Sequence, residues 1–260
     1  MMWSMKKLRA IPLLVLLTLA GGAGIPAHAE EATAAKPELT LYLVRHGQTL
    51  FNVKSIVSGW SDSPLTAKGV KQAAGAGEAL KDISFNSAYT SDLGRAHTTA
   101  ELILEKNAKK TELTPIKDIR EENYGGFDGD SDESLWTPIF KEYGFKFDPS
   151  WSNWEEFQNA TTEKQRADAV AHNDKMGLAE TWDQYNARLQ RGIDEIVKEA
   201  LAKGGGDVLV VSHGGAIAAM LELMDPEGYK GEDIGNASIS TVTYGSGKFK
   251  VVAVGQKTLK

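Results

Sequence analysis

Short apolar runs that end in polar residues mark the first half of the chain. Residues 41–44 are wholly apolar and are followed at once by Arg45, His46 and Gly47. Such a run, closed by glycine, predicts a buried strand whose carboxyl end opens into a loop. Open α/β sheets place their ligand sites at that end. Arg45 and His46 are therefore candidates for chemistry, although the pair alone also fits an ordinary exposed loop.

Two strand–loop–helix units follow one another here. Thr66 is a natural N-cap for a helix over 67–81. The residues predicted on its buried face are Val70, Ala73, Ala74, Gly77 and Leu80. A second strand is predicted at 86–91, with a second helix from Asp92 to about Lys106. This alternation predicts an α/β fold, a three-layer sandwich whose mixed, mostly parallel central sheet is flanked by helices.

The last third of the chain returns to the same alternation. A long helix is predicted over 181–203, ended by three consecutive glycines at 204–206. Residues 207–212 then predict another buried strand. A helix over 216–223 and a closing hairpin of strands 238–244 and 248–254 complete the domain.

The middle of the chain, about 128–180, is polar, rich in aromatic residues and mainly helical in pattern. We expect it to form a helical lid inserted into the domain. Its large aromatic side chains are expected to form a small core of their own, with the alternative that one or two of them, such as Trp136, stack on a substrate. Lys141 and Lys146 are too few to favour a highly phosphorylated substrate.

The N-terminal segment is predicted to be a signal peptide. Lys6, Lys7 and Arg9 precede an apolar stretch, and Ala27 and Ala29 supply the small residues of a cleavage site. The predicted organisation is a signal peptide over 1–29, a linker over 30–38 and a domain over 39–260. We therefore expect an exported protein, periplasmic or secreted, with no stable membrane anchor once the leader is removed; a retained anchor is the alternative.

Composition limits the possible partners. The chain has no cysteine, so neither a disulfide nor a lipoprotein anchor can form. The predicted leader holds three of the 29 cations and none of the 35 acids, so its removal takes the net charge from −6 to −9. Such a charge disfavours nucleic-acid and anionic-membrane surfaces, and an anionic ligand would need a local cluster of cations.

Arg45 and Arg95 suggest such a cluster, because each lies where a strand gives way to a loop or helix. A single arginine there would be expected merely to pair with a surface carboxylate. Two of them fit a phosphoryl group better, since guanidinium forks match pairs of phosphoryl oxygens. A helix start adds unpaired backbone N–H groups.

Four motifs follow one another along the chain. They are Arg45-His46-Gly47 with Asn52 and the 58–69 loop, Ser91-Asp92-Leu93 with Arg95-Ala96 and Thr99-Ala100, Arg120-Glu121-Glu122-Asn123-Tyr124-Gly125 with Gly129, and Val210-Val211-Ser212-His213-Gly214-Gly215. In this order they resemble the phosphoglycerate mutase-like branch of the histidine phosphatase superfamily. The resemblance implies an enzyme that takes a small phosphorylated substrate and works without a cofactor or a metal.

His46 is predicted to be the nucleophile, because a neutral imidazole nitrogen can attack phosphorus and divide the displacement into two steps. Surrounding cations should help by lowering its pKa. Arg45, Arg95 and His213 are predicted to surround the transferred oxygens, and Gly214 to offer its N–H.

A carboxylic acid is needed to protonate the leaving oxygen. The spacing of the motif that this chain resembles selects Glu121 over Glu122, and Glu122 is expected to be solvated. Both glutamates could instead be ordinary surface residues.

Gln48, Asn52, Ser58 and Tyr124 are secondary candidates for substrate binding, by the same resemblance. Asn52 and Ser58 could equally be turn residues that bond to their own backbone. His97 and His172 fall on no motif position, and no zinc, Walker or dinucleotide spacing is present.

The expected activity is that of an exported phosphomonoester hydrolase with a phosphohistidine intermediate on His46. Two alternatives remain: a cofactor-dependent phosphoglycerate mutase, and a non-catalytic protein that binds a phosphorylated ligand on the same fold. Export argues against a glycolytic mutase, as does the lack of additional basic residues in the predicted lid.

Overall fold

The computed structural model describes residues 38–258, so the predicted leader and nearly all of the predicted linker lie outside it. The strands are β1 Leu39–Arg45, β2 Ser87–Ser91, β3 Leu113–Ile116, β4 Gly206–Ser212, β5 Ile239–Gly245 and β6 Lys248–Gln256. The helices are α1 Leu50–Lys54, α2 Ala67–Ala79, α3 Gly94–Leu104, α4 Asp132–Glu142, α5 Trp154–Ala160, α6 Glu163–Asn173, α7 Trp182–Ala202 and α8 Gly214–Met224.

The strands form one sheet in the order β3-β2-β4-β1-β5-β6. β1 and β2 both pair with β4 in parallel, and β3 pairs with β2 in parallel. β5 is antiparallel to β1 and to β6. The sheet is therefore mixed and mostly parallel, which confirms the predicted fold class.

Side chains alternate between the two faces of the sheet. In β4, Val208 and Val210 belong to the core shared with α7 and α8, whereas Leu209 and Val211 belong to the core shared with α2 and α3. Because helices cover both faces of the central strands, the middles of these strands are apolar on both faces, over residues 41–44 of β1 and 208–211 of β4. This burial explains why the apolar runs were visible in the sequence.

The predicted helices and strands agree with the observed ones to within two residues at each end. Two elements were not predicted. β3 is a short strand at the edge of the sheet and contains Pro115. Proline has no N–H to donate to a neighbouring strand, and an edge strand tolerates this because one of its sides has no neighbour. α1 is a single short helix whose N-terminus is capped by a capping box between Thr49 and Asn52.

The predicted buried face of α2 is partly wrong. Val70 is 41% exposed, while Gly69 and Ala76 are buried. The rotation of the helix is set by a close approach between Gly69 and the loop after β1. A Cβ on Gly69 would collide with the carbonyl oxygen of Gln48, and one on Gly47 with the carbonyl oxygen of Gly69. Gly47 therefore allows the close packing of this loop on α2.

The segment between the central strands and α7 carries α4, α5 and α6. Its aromatic residues form a separate core around Phe140, whose ring lies 3.9 Å from that of Phe157. This confirms the expectation that they pack on one another. That the segment acts as a lid stays a prediction.

Across residues 38–258, each helix is too short or too polar to cross a membrane.

We expect Gly69→Ala to lower the free energy of unfolding by about 1–3 kcal/mol, because the new methyl group overpacks the contact with Gln48. Gly75 is the matched control on the same helix, since a Cβ there meets nothing within 4 Å. Gly75→Ala should raise stability by about 0.5–1 kcal/mol. Urea unfolding of both variants checks this, and equal effects would contradict the proposed role of the contact.

Candidate active site

The two motif histidines meet at the carboxyl ends of neighbouring parallel strands. Arg45, the last residue of β1, is in register with Ser212, the last residue of β4. His46 and His213 follow directly, and the centroids of their rings are 5.3 Å apart. Pairing of β1 with β4 thus brings together two residues that are far apart in the sequence.

His46 is 4% exposed and its tautomer can be inferred from its partner. Nδ1 lies 2.8 Å from the carbonyl oxygen of Gly47. Because a carbonyl oxygen only accepts hydrogen bonds, Nδ1 carries the proton and Nε2 keeps its lone pair. The ring is therefore held in the form in which Nε2 can act as a nucleophile.

Both histidines are held in the neutral form. Burial lowers the pKa of His46 well below its usual value, and the charges of Arg95 and Arg45 lower it further. The pKa of His213 is lowered in the same way, by burial first and then by Arg95. The expected effect of the cations has the predicted direction, but desolvation is the larger cause.

Arg45 lies between the histidine loop and the start of α8. Its Nη1 donates to the carbonyl oxygen of Ile234 at 2.7 Å, while its buried Nε has no partner among the described residues. The guanidinium packs against Gly214, where a Cβ would stand 3.2 Å from Cζ. Gly214 thus makes room for Arg45 at the first position of α8.

Arg95 has different partners from those expected of a phosphate fork. Nη1 donates to the carbonyl oxygen of Ser61 and to Asp62, at 2.8 and 3.0 Å, and Nη2 donates to the carbonyl oxygens of Ser58 and Gly59, at 2.7 and 2.8 Å. Among the described residues, Nε is the one nitrogen of this side chain without a partner. The side chain is 2% exposed and organises the 58–62 loop, so Nε is the group through which it could reach an anion.

An open cavity of about 330 Å³ lies at this edge of the sheet, and we call it the catalytic cavity. It brings together six of the predicted site residues: Arg45, His46, Asn52, Ser58, Glu121 and Tyr124. The other residues that line it are Phe51, Ser55, Ile56, Val57, Asp132, Leu135, Trp136 and Asn236. The remaining candidates, Arg95, His213, Gly214 and Gln48, do not line it.

Two of the secondary candidates in the catalytic cavity also bond locally. Asn52 accepts from the backbone N–H of Thr49 at 3.0 Å, and Ser58 donates to the carbonyl oxygen of Ile56 at 3.2 Å. Gln48 instead accepts from the hydroxyl of Thr66 at 3.0 Å and so anchors the start of α2. Their roles in binding stay predictions.

Glu121 is held in place by three donors. Oε1 accepts from the hydroxyl of Tyr185 and from the N–H of Glu122, both at 3.1 Å. Oε2 accepts from the N–H of Gly215, in the first turn of α8, at 3.0 Å. The carboxyl group is thereby fixed in the wall of the catalytic cavity.

Glu122 is half-buried, and the expectation that it is solvated is wrong for one of its two carboxyl oxygens. Its Oε1 is buried and has no hydrogen-bond partner among the described residues. Burial raises the pKa of this carboxyl group well above its usual value, and the neighbouring charges of Glu121 and Glu180 raise it further. Glu122 lines a cavity together with residues of α5, α6 and α8, a neighbourhood that the local sequence does not indicate.

Sequence reasoning missed the residue that supports the Glu121 loop. Arg188 is 5% exposed and donates to the carbonyl oxygens of Asp118, Arg120 and Glu121, each at 3.0 Å. Its charge is balanced by Glu180, with N–O distances of 2.7 and 2.6 Å. A signal was present, because Arg188 falls on the otherwise mainly apolar face of α7.

Asp128 and Trp60 were also missed. The carboxylate of Asp128 accepts from the N–H groups of Gly59 and Trp60, both at 2.8 Å, and Nε1 of Trp60 donates to the carbonyl oxygen of Glu121 at 3.0 Å. These bonds join the 58–62 loop to the Glu121 loop. Within residues 38–258, no three His, Asp or Glu side chains cluster as a metal site would require.

Residues 41–257 match the family model of the histidine phosphatase superfamily, branch 1. The chain belongs to the histidine phosphatase superfamily. It lies in the phosphoglycerate mutase-like branch, as the motifs indicated, and is an enzyme of that group.

Two relatives show the range of activities in this superfamily. The chain is 31% identical over 211 residues to a 2,3-bisphosphoglycerate-dependent phosphoglycerate mutase of Bartonella tribocorum, which covers 78% of this chain and 88% of the relative. It is 28% identical over 211 residues to a broad-specificity phosphatase of Saccharomyces cerevisiae, which covers 79% and 80%.

A solved structure of similar fold is that of phosphoglycerate mutase from Bacillus anthracis. It aligns with a TM-score of 0.75 and 37% identity over 84% of this chain and 93% of the other.

We expect Glu122→Gln to be more stable than the wild type at pH 7 and about equally stable at pH 4. The pKa of Glu122 is raised in the folded state. When the pH lies between the usual pKa of a glutamate and this raised pKa, the unfolded chain releases a proton that the folded chain keeps. Wild-type stability then falls by up to about 1.4 kcal/mol for each pH unit until the folded pKa is reached. Denaturant unfolding at several pH values measures this, with the exposed Glu156→Gln as control. A difference that does not change with pH would refute the burial of this carboxyl group.

Proposed function

We propose that this histidine phosphatase is an exported phosphomonoester hydrolase that forms a phosphohistidine on His46. The observation that carries the proposal is a buried, neutral imidazole with its Nε2 lone pair free, in a cavity whose wall also holds Arg45 and the fixed carboxyl group of Glu121. A nucleophile, a cation and a proton donor are the groups that phosphoryl transfer through a covalent intermediate requires.

In the first step, Nε2 of His46 attacks phosphorus, and the bond from phosphorus to the ester oxygen breaks. Glu121, protonated at this stage, gives its proton to the leaving oxygen, so that an alcohol departs. Arg45 and Nε of Arg95 balance the negative charge on the transferred oxygens, and the neutral ring of His213 can donate one N–H to them.

In the second step, water attacks the phosphorus of the phosphohistidine and gives its proton to the Glu121 carboxylate. The P–N bond breaks, the electron pair returns to Nε2, and inorganic phosphate leaves. His46 and Glu121 are then in the protonation states in which they began. The donors from Tyr185 and Gly215 hold Glu121 in position for both transfers.

Phosphoglycerate mutase is the second candidate, and it is favoured by the relatives at 31% and 37% identity that carry this name. Charge favours hydrolysis. Among the described residues that line the catalytic cavity, Arg45 is the one lysine or arginine, and Asp132 adds a carboxyl group beside Glu121. A substrate with a second phosphate or a carboxylate would meet acids here rather than a second cationic cluster.

Export is supported by the sequence before the fold. A basic start, an apolar stretch and small residues at 27 and 29 have the order of a cleavable leader. The exported protein would meet phosphate esters outside the cytosol.

Three assays of purified protein distinguish the candidates. Release of inorganic phosphate from an aryl phosphate supports the hydrolase. Transfer of phosphate between positions of glycerate, after priming with 2,3-bisphosphoglycerate, supports the mutase. Binding of a phosphate ester without either reaction supports a non-catalytic binder. His46→Ala, assayed in parallel, should lose the activity entirely, and activity that survives in this variant would exclude His46 as the nucleophile.

We expect Glu121→Gln to lower kcat on an alkyl phosphate about 100-fold or more, because an amide cannot donate the proton that the leaving oxygen needs. Glu122→Gln should lower kcat far less. Steady-state kinetics of the two variants decides between the adjacent glutamates, and equal losses would refute the assignment to Glu121.

A further inference from the structure

A second cavity of about 210 Å³ adjoins the catalytic cavity. The two have Tyr124 and Trp136 in common, so a molecule with its phosphate at His46 could extend past these side chains. The residues that line the second cavity are Glu122, Tyr124, Trp136, Trp154, Gln158, Glu163, Arg166, Ala167, Val170, Trp182, Tyr185, Gly215, Ala218 and Ala219.

Three tryptophans line this cavity and stay partly exposed. Trp136 and Trp154 pack edge to face, with ring centroids 5.0 Å apart, at the border of the aromatic core. Trp182 begins α7. Indole rings that remain half-buried at a cavity wall offer large apolar surfaces to the C–H face of a ligand.

The polar groups of the second cavity include both donors and acceptors. Glu122 and Glu163 contribute carboxyl groups, and Gln158 contributes an amide. Nη1 of Arg166 donates to the backbone oxygen and the hydroxyl of Thr161, at 2.9 and 3.0 Å, and its Nη2 lies 4.0 Å from Glu163. The buried Oε1 of Glu122 has no partner among the described residues.

Charge in the second cavity favours a neutral ligand. Glu163 and Arg166 carry opposite charges and lie 4.0 Å apart, so they balance each other. The raised pKa of Glu122 favours its neutral, protonated form. A neutral group with several hydroxyls can pair with the carboxyl groups and with the amide of Gln158, since each hydroxyl both donates and accepts.

Size limits the ligand to one small group. Cavities that bind drug-sized molecules usually measure about 300–1,000 Å³, and this one is smaller. A single sugar ring or a short polyol suits it better than a nucleotide or a peptide.

We propose that the second cavity binds the alcohol part of the substrate, and that this part is a neutral sugar or polyol carrying one phosphate ester. The inference rests on the proposed hydrolase activity and deepens it by naming the substrate class. Its hydroxyls bond to Gln158, Glu163 and Glu122, and its C–H face packs on the indole rings.

The test compares primary-alcohol monophosphates that differ in the charge of the alcohol. The whole protein after its predicted leader is assayed for phosphate release from neutral sugar and polyol monophosphates, from choline phosphate and from 3-phosphoglycerate. Methyl phosphate is the reference substrate, because its alcohol part is too small to reach the second cavity. We expect the highest kcat/KM for a neutral sugar or polyol ester.

Two variants test the cavity itself through the ratio of kcat/KM for that ester to kcat/KM for methyl phosphate. Glu163→Gln and Gln158→Ala should each lower this ratio roughly tenfold, because each removes a hydrogen bond to a hydroxyl. Glu156→Gln, an exposed change on α5 outside the cavity, is the matched control and should leave the ratio unchanged. If a variant is partly unfolded, both kcat/KM values fall by the same factor, so their ratio does not change.

The outcomes separate the two proposals. Preference for choline phosphate or 3-phosphoglycerate, or a ratio that neither variant changes, overturns the substrate class and leaves the hydrolase standing. Failure to release phosphate from any ester, the aryl phosphate included, overturns the hydrolase and with it this inference.

Discussion

The parallel pairing of β1 with β4 is the interaction on which the site depends. It places the ends of two buried strands side by side, so that His46 and His213 come within contact of each other. The same burial that stabilises the strands removes water from both rings and holds them neutral. A histidine that has to attack phosphorus needs this state, so stability of the sheet and readiness of the nucleophile have one physical origin.

Buried arginines join the loops to this edge of the sheet. Arg95 donates four hydrogen bonds to the 58–62 loop, and Arg188 holds the Glu121 loop through three carbonyl oxygens while Glu180 balances its charge. A planar guanidinium offers five donors in a fixed geometry, whereas a lysine offers three on a flexible chain. These cations therefore shape the catalytic cavity as well as charge it.

The adjacent glutamates show how neighbours in sequence can differ in environment. Glu121 is fixed by three donors in the wall of the catalytic cavity, whereas Glu122 lines the second cavity and has one buried oxygen without a partner in the described part of the chain. The two cavities meet at Tyr124 and Trp136, so chemistry and recognition of the leaving group can be divided between them.

Much of this protein was determined by its sequence alone. Five of the six strands of the described residues, and the helices that pack on the sheet, followed from apolar runs and caps, because central strands covered on both faces must be apolar and helix starts need acceptors. The motifs identified the superfamily and brought His46, Arg45 and Glu121 forward as candidates. Only the tertiary structure decided the burial of Glu122, the partners of Arg95, the supporting role of Arg188 and the existence of the second cavity. Each of these depends on which distant segments pack together, and that information is absent from the local pattern around any one residue.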